Sequence, residues 1–189
     1  MVFQVEAGII QPARWVPSPN YSARSDACDI SLLIVHNISL PPGEYGGGYV
    51  GAFFQNQLDE SDHPYFASIA HLQVSAHCFI DRAGAVTQFV NLHQRAWHAG
   101  ASFFAGRENC NDFSIGIELE GTDDEAYSQR QYETLAQLAA CIMAVYPAIT
   151  PERIVGHSDV APGRKTDPGD SFDWDYFCSI LSACLVTQL

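Results

Sequence analysis

Phe113-Ser114-Ile115-Gly116-Ile117-Glu118-Leu119-Glu120 is the stretch on which the fold turns. Ile115, Ile117 and Leu119 fall on one face, and Ser114, Gly116, Glu118 and Glu120 fall on the other. A strict period of two is a strand with one side in a core. The other side is polar and has a gap at Gly116, which suits the floor of a groove. Just downstream, Ser128 and Gln131 make an S-x-x-Q capping pattern. Tyr132, Leu135, Ala139, Ile142, Met143 and Tyr146 then trace a 3.6-residue stripe that Pro147 stops. A half-buried strand followed by a capped helix is the unit from which the rest is read.

Upstream, Leu32-Leu33-Ile34-Val35 is a continuous apolar run that ends abruptly in His36-Asn37. Downstream, Arg153-Ile154-Val155-Gly156 is a second such run, ending in His157. Short unbroken apolar runs suit strands covered on both faces. Between them, Pro41-Pro42-Gly43 and Gly46-Gly47-Gly48 mark a loop. Residues 50–58 read as a helix with Val50, Phe53, Phe54 and Leu58 near one face. Residues 76–80 and 85–90 flank Asp81-Arg82-Ala83-Gly84 as a hairpin. A Gly- and Pro-rich loop carries residues 159–170, and residues 172–186 read as a last helix with Phe177, Ile180, Leu181, Cys184 and Leu185 inward. Strands alternating with helices, plus one hairpin, indicate an α/β or α+β domain with a mixed sheet.

The 189 residues contain no repeat and no dividing linker, so residues 1–189 are expected to form a single domain. With 47% hydrophobic residues the chain carries a real core. Acidic residues outnumber basic ones by 22 to 9, for a net charge of −13. That field repels nucleic acid and anionic lipid, which argues against both as partners. Six cysteines form no Cys-x-x-Cys pair and read as reduced thiols. The first residues lack a basic segment, Glu6 interrupts the apolar run, and no stretch approaches the ~20 apolar residues of a membrane span. The expected location is cytoplasmic, and no exposed apolar stripe argues against a monomer.

His36 and His157 follow apolar runs, where side chains can project from a sheet rim that α/β folds use for ligands. With Asp167 they would hold Zn²⁺ and leave a fourth position for water. Spacing alone does not select this set, because His71 with His77, or His93 with His98, are competing pairs. Lys165 is the only lysine, two residues before Asp167. It reads either as a solvated loop charge or as a cation beside a developing oxyanion. Glu118 reads either as an edge-strand residue or as a general base opening onto a cleft. Trp97 reads as a core residue or a sugar platform.

Five blocks in order then resemble one family: residues 32–43 (LLIVHNISLPPG), 74–78 (VSAHC), 95–100 (RAWHAG), 111–123 (NDFSIGIELEGTD) and 164–169 (RKTDPG). They are similar to the AmpD family, bacterial cytoplasmic zinc amidases that cut between anhydro-N-acetylmuramic acid and L-alanine. The likeness runs from about residue 16 to residue 177. It implies an α/β domain with a central mixed β-sheet flanked by helices, shared with phage zinc amidases and peptidoglycan recognition proteins. It implies one Zn²⁺ held by His36, His157 and Asp167, with Glu118 and Lys165 catalytic.

The implied partner is a small muropeptide from cell-wall turnover, and Trp97, Asn37 and Arg107 are the expected substrate contacts. Gln73 and Asn109 stand where some members carry arginine, and Arg107 is the expected substitute. Two other readings share this fold: a muropeptide-binding module without catalysis, and an amidase acting on intact wall.

Overall fold

The computed structural model describes residues 2–26 and 28–187. Its centre is a six-stranded sheet made of β1 (Arg14–Trp15), β2 (Leu32–Ile38), β3 (Cys78–Ile80), β4 (Val86–Gln88), β5 (Ser114–Glu120) and β6 (Ile154–Gly156). The spatial order is β6-β2-β5-β3-β4-β1. β6, β2, β5 and β3 run parallel, the β3–β4 hairpin is antiparallel, and β4 pairs with β1 in parallel. The mixed sheet expected from the sequence is present.

The period of two divides the two central strands between two layers. Leu33, Val35, Ile115, Ile117 and Leu119 point into the larger core. There they meet α2 (Gln129–Val145) and α4 (Trp174–Thr187) through Leu135, Ala139, Ile142, Phe177 and Leu181. Each fully buried Leu, Ile or Phe contributes about 1.5–3 kcal/mol to that packing. On the opposite face, Leu32 and Ile34 pack with Phe113 and Val160, and α1 (Tyr49–Phe54) closes a second cluster through Val50, Phe53 and Phe54. His36, Gly116 and Glu118 share this second face with Leu32 and Ile34, because all occupy even positions of strands in register.

Some boundaries moved for local reasons. β2 continues two residues past His36, because its ladder with β5 runs on to Ile38 opposite Glu120. α1 stops at Phe54 rather than at residue 58, since Asn56 adopts a left-handed φ of 58° and ends the helix. Leu58 is nonetheless buried in the same cluster. α4 starts after Asp173, whose carboxylate accepts from Tyr176 N–H at 2.8 Å. The capping box of α2 is formed as read, with Gln131 N–H donating to Ser128 Oγ at 3.1 Å. An N-terminal hairpin, Gln4–Glu6 with Ile9–Gln11, was not read from the sequence. No disulfide occurs among the described residues, and Cys78, Cys110 and Cys141 are buried thiols. No helix of the described residues is long and apolar enough to cross a membrane.

Candidate active site

β2 and β5 pair with His36 directly opposite Glu118. β6 flanks β2 on its other side with Gly156 opposite Val35. The residue after Gly156, His157, opens the single-turn helix α3 (His157–Val160) and arrives beside His36. Asp167 comes from the loop beyond α3, turned back by Ser158 N–H donating to Asp167 O at 3.0 Å. Pro168 O is fixed in turn by Tyr127 Oη–H at 2.7 Å and Asn37 Nδ2–H at 3.1 Å.

Three ligand atoms converge. His36 Nδ1 and His157 Nδ1 are 3.0 Å apart, and Asp167 Oδ2 lies 3.0 Å from the first and 2.9 Å from the second. His157 Nε2–H donates to Ala99 O at 3.1 Å, so a neutral His157 presents a bare lone pair at Nδ1. That lone pair faces an acceptor-only carboxylate oxygen. One proton bridges one edge of the triangle, whereas a divalent cation bridges all three. Ligands of a tetrahedral ion with bonds of ~2.0–2.1 Å stand ~3.3 Å apart, close to the separations seen. The donor set fits zinc.

Burial pulls the His36 imidazole down to about 4, so it is neutral at pH 7, as a metal ligand must be. Burial alone would raise the Asp167 carboxyl, but its contacts with His157 and His36 outweigh that and hold it below the usual range. Glu118 goes the other way. Burial, reinforced by the Asp167 charge, pushes its carboxyl well above the ordinary glutamate value, and Lys165 opposes this in part. Glu118 is 8% exposed, and its Oε2 has no hydrogen-bond partner among the described residues. A buried carboxyl oxygen without a donor, beside the triangle of His36, His157 and Asp167, is a candidate to exchange a proton with a reacting molecule.

Residues 26–170 match the N-acetylmuramoyl-L-alanine amidase family. The chain belongs to that family. It is 53% identical to the 1,6-anhydro-N-acetylmuramyl-L-alanine amidase AmpD of Haemophilus influenzae, over 93% of this chain and 95% of that protein. It superposes on a crystal structure of a Se-Met AmpD derivative with a TM-score of 0.91 at 54% identity, covering 94% of this chain and 98% of the other. The Escherichia coli amidase AmiD has been solved in complex with the substrate anhydro-N-acetylmuramic acid-L-Ala-D-gamma-Glu-L-Lys. The match to it has a TM-score of 0.61 at 27% identity and covers 94% of this chain and 65% of that one.

In this amidase the triangle opens into a cleft of about 660 Å³. Glu118, Lys165, Trp97 and Asn37 line it, together with apolar Leu40 and Tyr65. Trp97 is held by its Nε1–H donating to Ser22 Oγ at 3.3 Å. Asn37 spends its Nδ2 on Asp123 Oδ1 at 2.8 Å as well as on Pro168 O, which ties the loop carrying Asp167 to β2. Arg107 is not among the residues lining the cleft. Its guanidinium pairs with Asp29 at 2.5 Å and lies 3.8 Å over the Phe113 ring. The guanidinium at the cleft is Arg164, spent on Ala99 O and Ala101 O at 2.5 and 2.7 Å.

The competing histidine pairs do not assemble. His71 and His93 are exposed, and His77 is buried, accepting from Gly116 N–H at 3.0 Å and donating to Gln94 O at 3.1 Å. His98 belongs instead to His36, at 2.9 Å. The sequence offers His98 only as a metal ligand paired with His93, not as a partner of His36, and marks no role for Arg164 or Asp123. The gap at Gly116 was the available signal for His98, because a Cβ there would overlap the His98 ring at Nδ1.

Proposed function

We propose that the protein hydrolyses the amide joining the lactyl group of 1,6-anhydro-N-acetylmuramic acid to L-alanine, with one Zn²⁺ held by His36, His157 and Asp167. The observation that carries this is the 2.9–3.0 Å convergence of two imidazoles and a carboxylate beside the unpartnered Oε2 of Glu118. Likeness to enzymes named for this bond supports the choice of substrate. The reaction places the protein in turnover of cell-wall fragments, acting in the cytoplasm as a single copy whose cleft is built from one chain.

When bound, zinc supplies a Lewis acid and lowers the pKa of water towards ~7. Glu118 Oε2, held ionised by Lys165 and by the charge of the bound metal, accepts a proton from the attacking water. Lys165, on the cleft wall, faces the carbonyl oxygen as negative charge builds on it, for a gain of ~10²–10³ in rate. Glu118 then returns its proton to the departing amine of L-alanine. Trp97 bounds the sugar end of the cleft, while Asn37 keeps the Asp167 loop in place.

The test is hydrolysis of a defined anhydromuropeptide by protein as purified, after chelation, and after zinc is restored. Activity that falls with chelation, returns with zinc and is weak on polymeric wall is the expected result. Turnover untouched by chelation, or a preference for intact wall, overturns the reading.

A further inference from the structure

The dipeptide His98–Ala99 serves both imidazoles of the triangle from behind. Ala99 O accepts from His157 Nε2–H at 3.1 Å, and His98 Nδ1 lies 2.9 Å from His36 Nε2. The segment is pinned from below, since Asn111 Oδ1 accepts from both His98 N–H at 3.1 Å and Ala99 N–H at 2.8 Å. The two rings meet edge to face, with centroids 5.0 Å apart at 88°. His98 Nε2 in turn lies 3.2 Å from Ser114 Oγ.

This chain of three groups has two neutral arrangements. In one, Ser114 Oγ–H donates to His98 Nε2, His98 Nδ1–H donates to His36 Nε2, and the His36 proton is left on Nδ1, pointing at Asp167. In the other, His36 Nε2–H donates to His98 Nδ1, His98 Nε2–H donates to Ser114 Oγ, and His36 Nδ1 offers a lone pair. Only the second can ligate a cation. A side chain that accepts at the Nδ1 position selects it.

We propose that His98 is a positioning residue for the metal. It accepts the proton of His36 Nε2, so that His36 Nδ1 stays turned, as a lone pair, into the triangle with His157 and Asp167. Gly116 belongs to the same device, because any Cβ there would occupy the space of the His98 ring. This inference rests on the zinc reading above. Outer partners of ligating histidines are worth ~10–100-fold in metal affinity.

The experiment is zinc affinity by chelator competition on the full chain, for wild type, His98→Phe, His98→Asn and Gly116→Ala, with unfolding midpoints of the metal-free proteins as a control. Phenylalanine keeps the ring and removes the acceptor, so His98→Phe should lose at least ~10-fold in affinity. Asparagine places an amide oxygen where Nδ1 was, so His98→Asn should recover most of that loss, which a packing role would not produce. Gly116→Ala, which displaces the ring, should fall with His98→Phe; should it fail to fold, the Phe and Asn pair still decides. In ¹⁵N-imidazole spectra of the zinc-loaded wild type, His36 should carry its proton on Nε2, hydrogen-bonded to His98. Wild-type affinity in His98→Phe, or no rescue by His98→Asn, overturns the role of His98 and leaves the zinc reading standing. A wild type that takes up no zinc overturns both.

Discussion

Glu118 is a residue whose burial costs the fold stability. Its carboxyl is buried with an oxygen that no donor reaches, and burial raises its pKa well above the ordinary value. In the unfolded chain it ionises near the usual ~4.3. Between that value and the raised folded value, the unfolded state sheds a proton that the folded state keeps. Folding stability therefore falls as pH rises through this window. Glu118→Gln removes the penalty. In metal-free protein the variant should be more stable than wild type at pH 7, by ~1–3 kcal/mol, with the gap closing below pH ~4. Thermal unfolding across pH measures it, and a constant gap at all pH values would contradict the assignment. The same variant should retain zinc and lose most hydrolysis.

At this scale the sequence disclosed residue types but not their meeting. His36 and His157 were visible because each ends an apolar run, and Glu118 because it interrupts one. Nothing local joins residues 36, 157 and 167. Their convergence comes from strand order, which places β6 beside β2, and from the loop after α3, which Ser158 N–H turns back through Asp167 O. The resemblance chose that triple where spacing could not. It led less well to Arg107, whose partner Asp29 lies 78 positions away and gives no local sign.

Among the elements, α2 is the one whose start was legible to the residue, because a capping box is a short-range pattern with a short-range cause. Its Gln131 does more than the motif requires. Beyond accepting from Ser128 N–H at 3.0 Å, it donates to Glu120 O at 2.9 Å, at the end of the strand that carries Glu118. Ser128→Ala removes the cap and the bond from Ser128 Oγ–H to Arg82 O at 2.8 Å, and should cost about 1–2 kcal/mol. Gln131→Ala leaves the Ser128 donor and the Glu120 acceptor without that partner inside the protein, and should cost about 2–3 kcal/mol. Urea unfolding midpoints compare the two, and equal costs would mean that the contact with β5 contributes nothing.

Elements held by tertiary context were harder to read. The N-terminal hairpin turns on Ala7 and Gly8, with φ of 49° and 80°, and alanine at a left-handed position is not a turn signal. α3 is a single turn, too short for any periodicity to register.

Taken whole, the molecule is an acidic body, net −13, in which His36, His157 and Asp167 make a donor set that fits a cation. A ligand that binds only the folded state stabilises it in proportion to its occupancy. Zinc at 100 times its Kd should add ~2.7 kcal/mol to the chelated protein. For a domain of this size that is a rise of ~5–10 °C in Tm, readable by calorimetry. Asp167→Ala should abolish the shift together with activity. An unchanged midpoint in the wild type would remove the cation from the account.

The ladder between β2 and β5 sets one further limit. With His36 and Glu118 face to face on hydrogen-bonded strands, the distance from that imidazole to that carboxyl is ruled by backbone geometry and cannot drift with the loops around it. The cleft wall at Leu40, Tyr65 and Thr122 to Asp124 is carried outside those strands. Selection for a different glycopeptide can therefore recut this rim like a change of die in a fixed press, with the stroke that breaks the bond unaltered.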